Sequence, residues 1–403
     1  MTQPVMIQWS ISSFFGWGVY GLNLAMHWAG DSEIEPVCVA PFDAGQIALD
    51  PLRERAILPF LVRSMKFQAD LSHHANGGAS ADVPLLLALG NGLNGSPAVH
   101  NVVLEGRPTI GVVFFEEALD PEAIKRGKLL PLIVTGSTWN ERVLRAYGFE
   151  NVRTVVQGID PTHFHTGPKL GMMRDRFLIF SGGKAELRKG QDIVMAAFKV
   201  FAKRHPEATL VTAWHSPWPH FARSLDQTGL AAPVAFNKEG KLDIAAWAAA
   251  NDIAADQVID LGNVPNVSMP TVLREMDAAV FTNRSEGGTN LVAMECMACG
   301  IPVVLSRNTG HLDLIQDDNC YPLDDQKAVE NRWNSVGEVA CWGESQVGEV
   351  VERLEEIFQD RAAAKKRGLR AARMMQRMTW AETARQMKEV VLASVKNIVP
   401  IAA

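Results

Sequence analysis

In the N-terminal half, short apolar runs alternate with stretches whose apolar residues recur every three to four positions. The runs Met6–Ile11, Pro36–Ala40, Val83–Leu89, Thr109–Phe115, Pro131–Thr135 and Arg153–Val156 read as strands. Gly18–Trp28, Pro51–Val62 and Trp139–Tyr147 read as helices. From Asp160 to Asp175 the pattern breaks into Pro, Gly and mixed polar residues, which places a linker there. The alternation then resumes. Strands are expected at Phe177–Phe180, Thr209–Ala213, Val258–Leu261, Ala278–Phe281 and Val303–Leu305. Helices are expected at Gln191–Arg204, Ile244–Asn251, Pro270–Met276, Leu291–Cys299 and Leu312–Ile315, and the segment from Ser345 to Ile398 reads as helix. Strands alternating with helices predict parallel sheets covered on both faces. The expected fold is α/β, with two Rossmann-like parallel-sheet domains at residues 1–165 and 166–380. Their strand C-terminal ends are expected to face across a shared cleft, the ligand edge of open α/β sheets.

Composition narrows the class. At 403 residues and 47% hydrophobic the chain can bury two ordinary cores. A net charge of -6, mixed along the chain, gives no extended basic footprint for nucleic acid. The N-terminus MTQPVMIQWS lacks a basic region ahead of an apolar core, and no stretch approaches the ~20 apolar residues of a spanning helix. Five cysteines in a chain of this length make no disulfide framework. The expectation is a soluble, reduced, cytoplasmic protein, with a place at the inner face of a membrane left open. Cys296 and Cys299 form a CxxC without a second ligand pair, so they read as small residues packing one helix face. His163 and His165 read as a loop pair without a third ligand, and no metal site is expected.

Three motifs carry candidate chemistry. Ser285-Glu286-Gly287-Gly288-Thr289-Asn290-Leu291 is a polar, glycine-bearing loop that opens an amphipathic helix containing Glu295, with Gly300 as its stop. Such a loop offers backbone N–H groups and a helix dipole to an anion, and the glutamates offer acceptors for hydroxyls beside it. Phosphate flanked by polyhydroxylated rings describes a sugar nucleotide. Glu286 and Glu295 could alternatively form an acid/base pair. The second motif follows the first strand of the second domain: Gly183, Lys184, Arg188 and Lys189, with Gly190 before a helix. Its cations suit a diphosphate leaving group. The third, Gly16-x-Gly18-x-Tyr20-Gly21, satisfies GxGxxG after the first strand. The acidic residue expected to end the second strand comes late, at Asp43 after a proline, so the dinucleotide fingerprint is incomplete.

Together these motifs resemble the retaining glycosyltransferases of the GT-B fold, in particular glycosyltransferase family 4 (glycosyl transferases group 1). Gly183-Lys184-x-x-x-x-Lys189-Gly190 keeps the spacing of the family's Gly-Arg-x-x-x-x-Lys-Gly, with lysine for arginine. Glu295-Cys296-Met297-Ala298-Cys299-Gly300-Ile301-Pro302-Val303 matches the end of the family's Glu-x7-Glu signature. The first glutamate, Glu286, stands one residue further away. Strict alignment puts Gly287 in its place, and the Gly287-Gly288 loop is expected to absorb the extra residue. Gln157-Gly158-Ile159-Asp160-Pro161 with Phe164, Gly262-Asn263-Val264-Pro265 and Thr379-Trp380 resemble further family segments.

The resemblance implies residue roles. Lys184 and Lys189 would hold the donor diphosphate, and Glu286 would meet the transferred sugar. Glu295 would bind ribose hydroxyls. Gly288, Thr289, Asn290 and Leu291 would cap the diphosphate and sugar. Val264 would lie beside the nucleobase. Gly16, Gly18, Tyr20 and Glu116 would lie on the acceptor side, and residues 381–403 would pack back on the first domain. The implied reaction moves a sugar from a nucleoside-diphosphate donor to a hydroxyl on a glycan, lipid-linked saccharide or small molecule. It uses no cofactor and no divalent metal. Two other functions remain open from the residues alone: an NAD-dependent oxidoreductase using Gly16–Gly21, and a non-catalytic nucleotide-sugar-binding protein of the same fold.

Overall fold

Near-continuous apolar strands are stable in a parallel sheet because both faces are covered. A computed structural model of the chain, describing residues 2–73, 77–95, 102–316 and 318–396, contains two such sheets. The chain divides into two units. Unit 1 comprises residues 1–158, 265–267 and 378–403. Unit 2 comprises residues 159–264 and 268–377.

Unit 1 contains strands β1 (Gln3–Gln8), β2 (Ile34–Cys38), β3 (Gly78–Ala81), β4 (Leu85–Leu89), β5 (Val103–Gly106), β6 (Thr109–Val113), β7 (Leu132–Thr135) and β8 (Val152–Thr154). Six of them form a sheet in the order β2-β1-β4-β6-β7-β8, every pairing parallel, while β3 and β5 form a separate parallel pair. Its helices are α1 (Gly16–Trp28), α2 (Pro51–Ser72), α3 (Pro121–Lys128) and α4 (Thr138–Ala146). The pattern ended α2 at Val62, yet it continues for ten more residues to Ser72. Past Val62 its inner face mixes polar Ser64 and Gln68 with apolar Phe67 and Leu71. Ser64 Oγ accepts the Cys38 N–H at 2.9 Å, and Gln68 Nε2 donates to Cys38 O and Ala40 O at 3.0 and 2.7 Å. Helix α3 was not anticipated. It is short and highly charged, and the Asp120 carboxylate starts it by accepting the Ala123 N–H at 2.7 Å.

Unit 2 contains strands β9 (Phe177–Gly182), β10 (Ala208–Ala213), β11 (Val258–Asp260), β12 (Ala278–Phe281), β13 (Val303–Ser306) and β14 (Tyr321–Leu323). They form a second all-parallel sheet in the order β11-β10-β9-β12-β13-β14. Its helices are α5 (Gln191–Arg204), α6 (Ile244–Ala250), α7 (Met269–Leu273), α8 (Leu291–Ala298), α9 (Val347–Gln359) and α10 (Arg361–Met375). The expected Leu312–Ile315 helix is a 3-10 turn over Thr309–Asp313. An excursion after β14 forms two short antiparallel pairs, Gln326–Lys327 with Glu344–Ser345 and Ser335–Val336 with Val339–Ala340.

The expected boundaries shift in both places. The polar stretch 160–175 is not a free linker, because it is tied to unit 2. Lys169 Nζ donates to Glu275 O at 2.9 Å, and the Leu170 and Gly171 N–H groups donate to the Glu275 carboxylate at 2.5 and 2.9 Å. The last helix, α11 (Trp380–Lys396), belongs to unit 1. Trp28 Nε1 donates to Ala384 O at 3.1 Å, Thr383 Oγ1 donates to Val156 O at 2.9 Å, and Lys388 pairs with Asp31 at 2.8 Å. Residues 397–398, the end of the expected tail helix, lie outside the described residues.

Candidate functional site

Parallel strands deliver their C-terminal ends to one edge of a sheet, so the loops after β9, β10, β11 and β12 gather along one edge of unit 2. After β9 the chain runs through Gly183 and Lys184 into a 3-10 turn, Leu187–Lys189, and then into α5. Gly190, between turn and helix, has φ 72°, and an added Cβ would lie 2.1 Å from Thr282 O. Only glycine combines that dihedral with that approach. Thr282 Oγ1 donates back to Gly190 O at 2.7 Å, which fixes the turn against the end of β12.

This junction brings Lys189 to Glu286. The ammonium and the Glu286 carboxylate form a buried ion pair. Asn283 Nδ2 donates to the same carboxylate at 2.7 Å, and Arg188 Nη1 stands 3.6 Å from its other oxygen. Burial alone would raise the Glu286 pKa, but Lys189 and Arg188 outweigh it and bring it down to about 2. Burial pulls Lys189 below its ordinary range, against the opposing pull of Glu286. Glu286 is an anion held by two cations. Its carboxylate, rather than Gly287, faces Lys189 in spite of the long spacing to Glu295.

Lys184 does not join this group directly. It pairs with Glu186 at 2.8 Å, and Arg188 Nε reaches the other Glu186 oxygen at 2.7 Å. The four-member chain Lys184–Glu186–Arg188–Glu286 therefore ends at Lys189. Gly183 has φ 105°, and its carbonyl, with that of Lys184, accepts from Gln191 Nε2 at 3.1 Å.

The loop from Gly287 to Asn290 is buried and leads into α8. Asn290 adopts φ 67° and caps α8 through its Oδ1, which accepts the Ala293 N–H. Thr289 Oγ1 donates to Met294 Sδ at 3.0 Å. Leu291 is the half-buried first residue of α8, and Glu295 lies on its second turn, 7% exposed. Cys296 and Cys299 are buried on the same helix, where burial pushes the Cys299 thiol up to about 12 and Cys296 well above its ordinary value. That suits packing rather than thiolate chemistry. Among the described residues no group of three His, Cys, Asp or Glu side chains is arranged to hold a metal ion. Val264 follows β11 past Gly262, whose N–H donates to Asp260 Oδ1 at 3.1 Å.

Three residues of this site did not stand out in the sequence. Arg284 is fully buried. Its Nη1 and Nη2 donate to the two oxygens of Asp192 at 2.9 and 2.7 Å, Nη1 also donates to Leu187 O at 2.8 Å, and Nε donates to Glu344 at 2.6 Å. Its backbone N–H donates to Arg188 O at 2.7 Å. It thereby locks the Leu187–Lys189 turn to α5 and to the excursion after β14. His311 is also fully buried. Its Nδ1 faces the Ser306 carbonyl at 3.2 Å and must carry the proton, so Nε2 accepts from Asn290 Nδ2 at 3.1 Å. Burial lowers its pKa to about 4, which keeps it neutral. Gly310 lies under the loop: an added Cβ would sit 1.6 Å from Gly288 O. Arg284 and Gly310 could have been noticed only as a charge and a glycine flanking strand ends. Nothing in the one-dimensional pattern marks His311.

In unit 1, Gly16 opens α1. An added Cβ at Gly18 would lie 2.3 Å from Ser12 Oγ, and one at Gly21 would lie 2.6 Å from Trp9 Nε1. Close packing of α1 accounts for both residues, so the glycine pattern needs no dinucleotide. Tyr20 is 1% exposed and stacks between Trp9 and Trp380, with ring centroids 5.5 and 5.7 Å away. Burial pushes its hydroxyl well above the ordinary phenol range. The backbone N–H of Glu116, itself buried, donates to Asn91 Oδ1 at 3.0 Å.

Residues 267–387 match the family model described as family 4 glycosyltransferase in conflict systems. Comparison with curated proteins finds no match to the sequence. Solved structures do match. The HepE protein of Anabaena in complex with UDP is 14% identical, with a TM-score of 0.59 over 97% of this chain and 100% of that one. Sucrose-phosphate synthase of Thermosynechococcus elongatus is 14% identical, with a TM-score of 0.63 over 97% and 98%. A glycosyltransferase of Rickettsia africae is 10% identical, with a TM-score of 0.63 over 98% and 99%. At these identities the likeness concerns the fold, and it spans both units.

Proposed function

We propose that this chain, which resembles the family 4 glycosyltransferases in motif, family match and fold, transfers a sugar from a nucleoside-diphosphate donor to a hydroxyl acceptor with retention. The observation that carries the reading is the convergence of Lys189 and Arg188 on Glu286, at the mouth of the loop that opens α8. A buried ammonium that can trade a carboxylate for a diphosphate is a means of stabilising a leaving group, and it acts without a metal. Lys189 would hold the leaving diphosphate, with Lys184 and Arg188 beside it and the α8 N-terminus adding its dipole. Glu286, Gly287, Gly288 and Thr289 would meet the sugar, and Glu295 the ribose. No protein nucleophile is required. The donor phosphate would take the acceptor proton on the face from which it departs, and the chain supplies position and charge.

The donor's sugar moiety is proposed to be a hexose. The HepE structure was solved with UDP and a related one with UDP-glucose, which favours a uridine donor as the first to try. Among the described residues no helix is long and apolar enough to cross a membrane. A peripheral membrane contact would fall on α2, whose exposed Leu52, Leu58, Val62 and Met65 lie on the same helix as the exposed cations Arg55 and Lys66.

Calorimetric titration with UDP, GDP, ADP and NAD, with and without magnesium, tests the reading. Binding of one nucleoside diphosphate that is indifferent to magnesium and lost in Lys189→Ala supports it. Binding of NAD alone overturns it. Donor binding without transfer or slow donor hydrolysis would identify a non-catalytic nucleotide-sugar-binding protein.

A further inference from the structure

Aromatic side chains half exposed at the ligand edge of a parallel sheet are costly to leave in water and well shaped to stack a ring. Unit 2 has two. Trp218 is 50% exposed and Phe221 44% exposed, and both follow β10 in the segment Trp214–Phe221. The Lys184 ammonium lies 4.9 Å from the Phe221 ring centroid and 5.8 Å from that of Trp218, so the rings stand beside the cations assigned to the diphosphate. Three bonds hold them there. Ser224 Oγ accepts the Leu187 N–H at 2.9 Å and donates to Phe221 O at 2.6 Å, coupling the aromatic segment to the turn that carries Lys189. On the other side, His215 Nε2 pairs with Asp260 Oδ2 at 2.7 Å, fastening the segment to the end of β11.

Sheet order gives the direction. The strands run β11-β10-β9-β12, so along the ligand edge the loop after β10 lies between the cationic turn after β9 and the Val264 loop after β11. A nucleotide whose diphosphate sits over β9 and β12 has the aromatic segment next to it on the β10 side, where a base can lie between the cationic turn and the Val264 loop.

We propose that Trp218 and Phe221 form a stacking platform for the nucleobase of the donor, with Lys184 bridging platform and diphosphate. This rests on the donor reading above. A π-face is common to all bases, so the platform supplies affinity, and the choice among uracil, guanine and adenine falls to the polar groups around it. It also gives a reason for lysine at position 184. A slender ammonium fits between two rings and Glu186, where a planar guanidinium would stack on one ring and leave the other.

The test is titration of UDP, GDP and ADP into the wild type, Trp218→Ala, Trp218→Phe, Phe221→Ala and Lys184→Met, and into Lys184→Met combined with Trp218→Ala. The expected result is a loss of roughly 5- to 100-fold in nucleotide affinity for Trp218→Ala. Trp218→Phe should restore most of it, and a comparable further loss should appear when Trp218→Ala is added to Lys184→Met. If the wild type binds a nucleoside diphosphate and both ring deletions bind it equally well, the platform is overturned while the donor reading stands. If Trp218→Ala costs nothing once Lys184 is gone, the rings act only by placing the lysine, and base stacking is overturned. If the wild type binds none of the three nucleotides, the donor reading fails and the platform falls with it.

Discussion

Lys189 and Glu286, 97 residues apart in the chain, form an ion pair at the junction of β9, β12 and α8, with Asn283 and Arg188 on the same carboxylate. An ion pair this enclosed is weak evidence of stability for its own sake, because desolvation offsets most of the attraction. It is better explained as a site in which the carboxylate occupies the cation until a phosphate arrives.

Removing one partner should therefore separate folding from function. Lys189→Met leaves a buried anion with only Arg188 and Asn283, and should cost about 3 kcal/mol of stability. Adding Glu286→Gln should return most of that loss. Transfer should stay reduced by about a hundredfold or more in both variants. Denaturant melts beside donor turnover check this, and recovery of turnover in the double variant would remove Lys189 from the chemistry.

Arg284→Met should destabilise unit 2 by about 3–5 kcal/mol, since it strands Asp192 and the Leu187 carbonyl. Arg284→Lys should retain one contact of the fork and lose the rest. Because the Leu187–Lys189 turn hangs on this side chain, the lysine variant should lower turnover more than it lowers melting temperature. Equal turnover to wild type in a folded Arg284→Lys would show that the turn holds itself.

Gly310→Ala should displace the loop that carries Gly288. The added methyl would sit 1.6 Å from the Gly288 carbonyl oxygen, a distance no rotamer change relieves. Nucleotide affinity should fall at least tenfold in a protein that keeps its secondary structure, as read by calorimetry and circular dichroism. Unchanged affinity would mean that the loop takes no part in donor binding.

His311 supplies an acid-sensitive contribution. Its pKa is lowered to about 4 in the folded chain, against about 6.5 when unfolded. A base kept neutral by folding contributes stability that is complete above the unfolded value and is lost as pH falls from about 6.5 towards 4. Glu286 stays ionised through that window, because its own pKa is brought down to about 2. Wild type should thus lose roughly 2–3 kcal/mol more than His311→Gln between pH 7 and pH 4. Parallel pH dependence in the two proteins would contradict the neutral assignment.

The strands at 177–182, 208–213, 278–281 and 303–306 and the helices at 191–204 and 291–298 were legible because each buries a continuous apolar run or stripe. The continuation of α2 past Val62 was not legible, because Ser64 and Gln68 interrupt the apolar stripe that Phe67 and Leu71 carry on. Polar residues look like surface until a strand edge is found to need their hydrogen bonds. The position of the first boundary was hidden for the same reason: Lys169, Leu170 and Gly171 look like linker until Glu275 is seen to hold them.

At the site, the one-dimensional pattern alone determined the residue types. Lys184, Lys189, Glu286 and Glu295 were identifiable from spacing because each sits a few residues from a glycine that follows a strand, opens a helix or stops one. Only the tertiary structure decided their pairing. It joined Lys189 to Glu286, turned Lys184 towards Glu186 and the rings of Trp218 and Phe221, and placed Arg284 and His311 beneath them. The physical reason is that spacing along a chain fixes what shares a turn. Contacts between loops from different strands depend on sheet order, which local sequence does not encode.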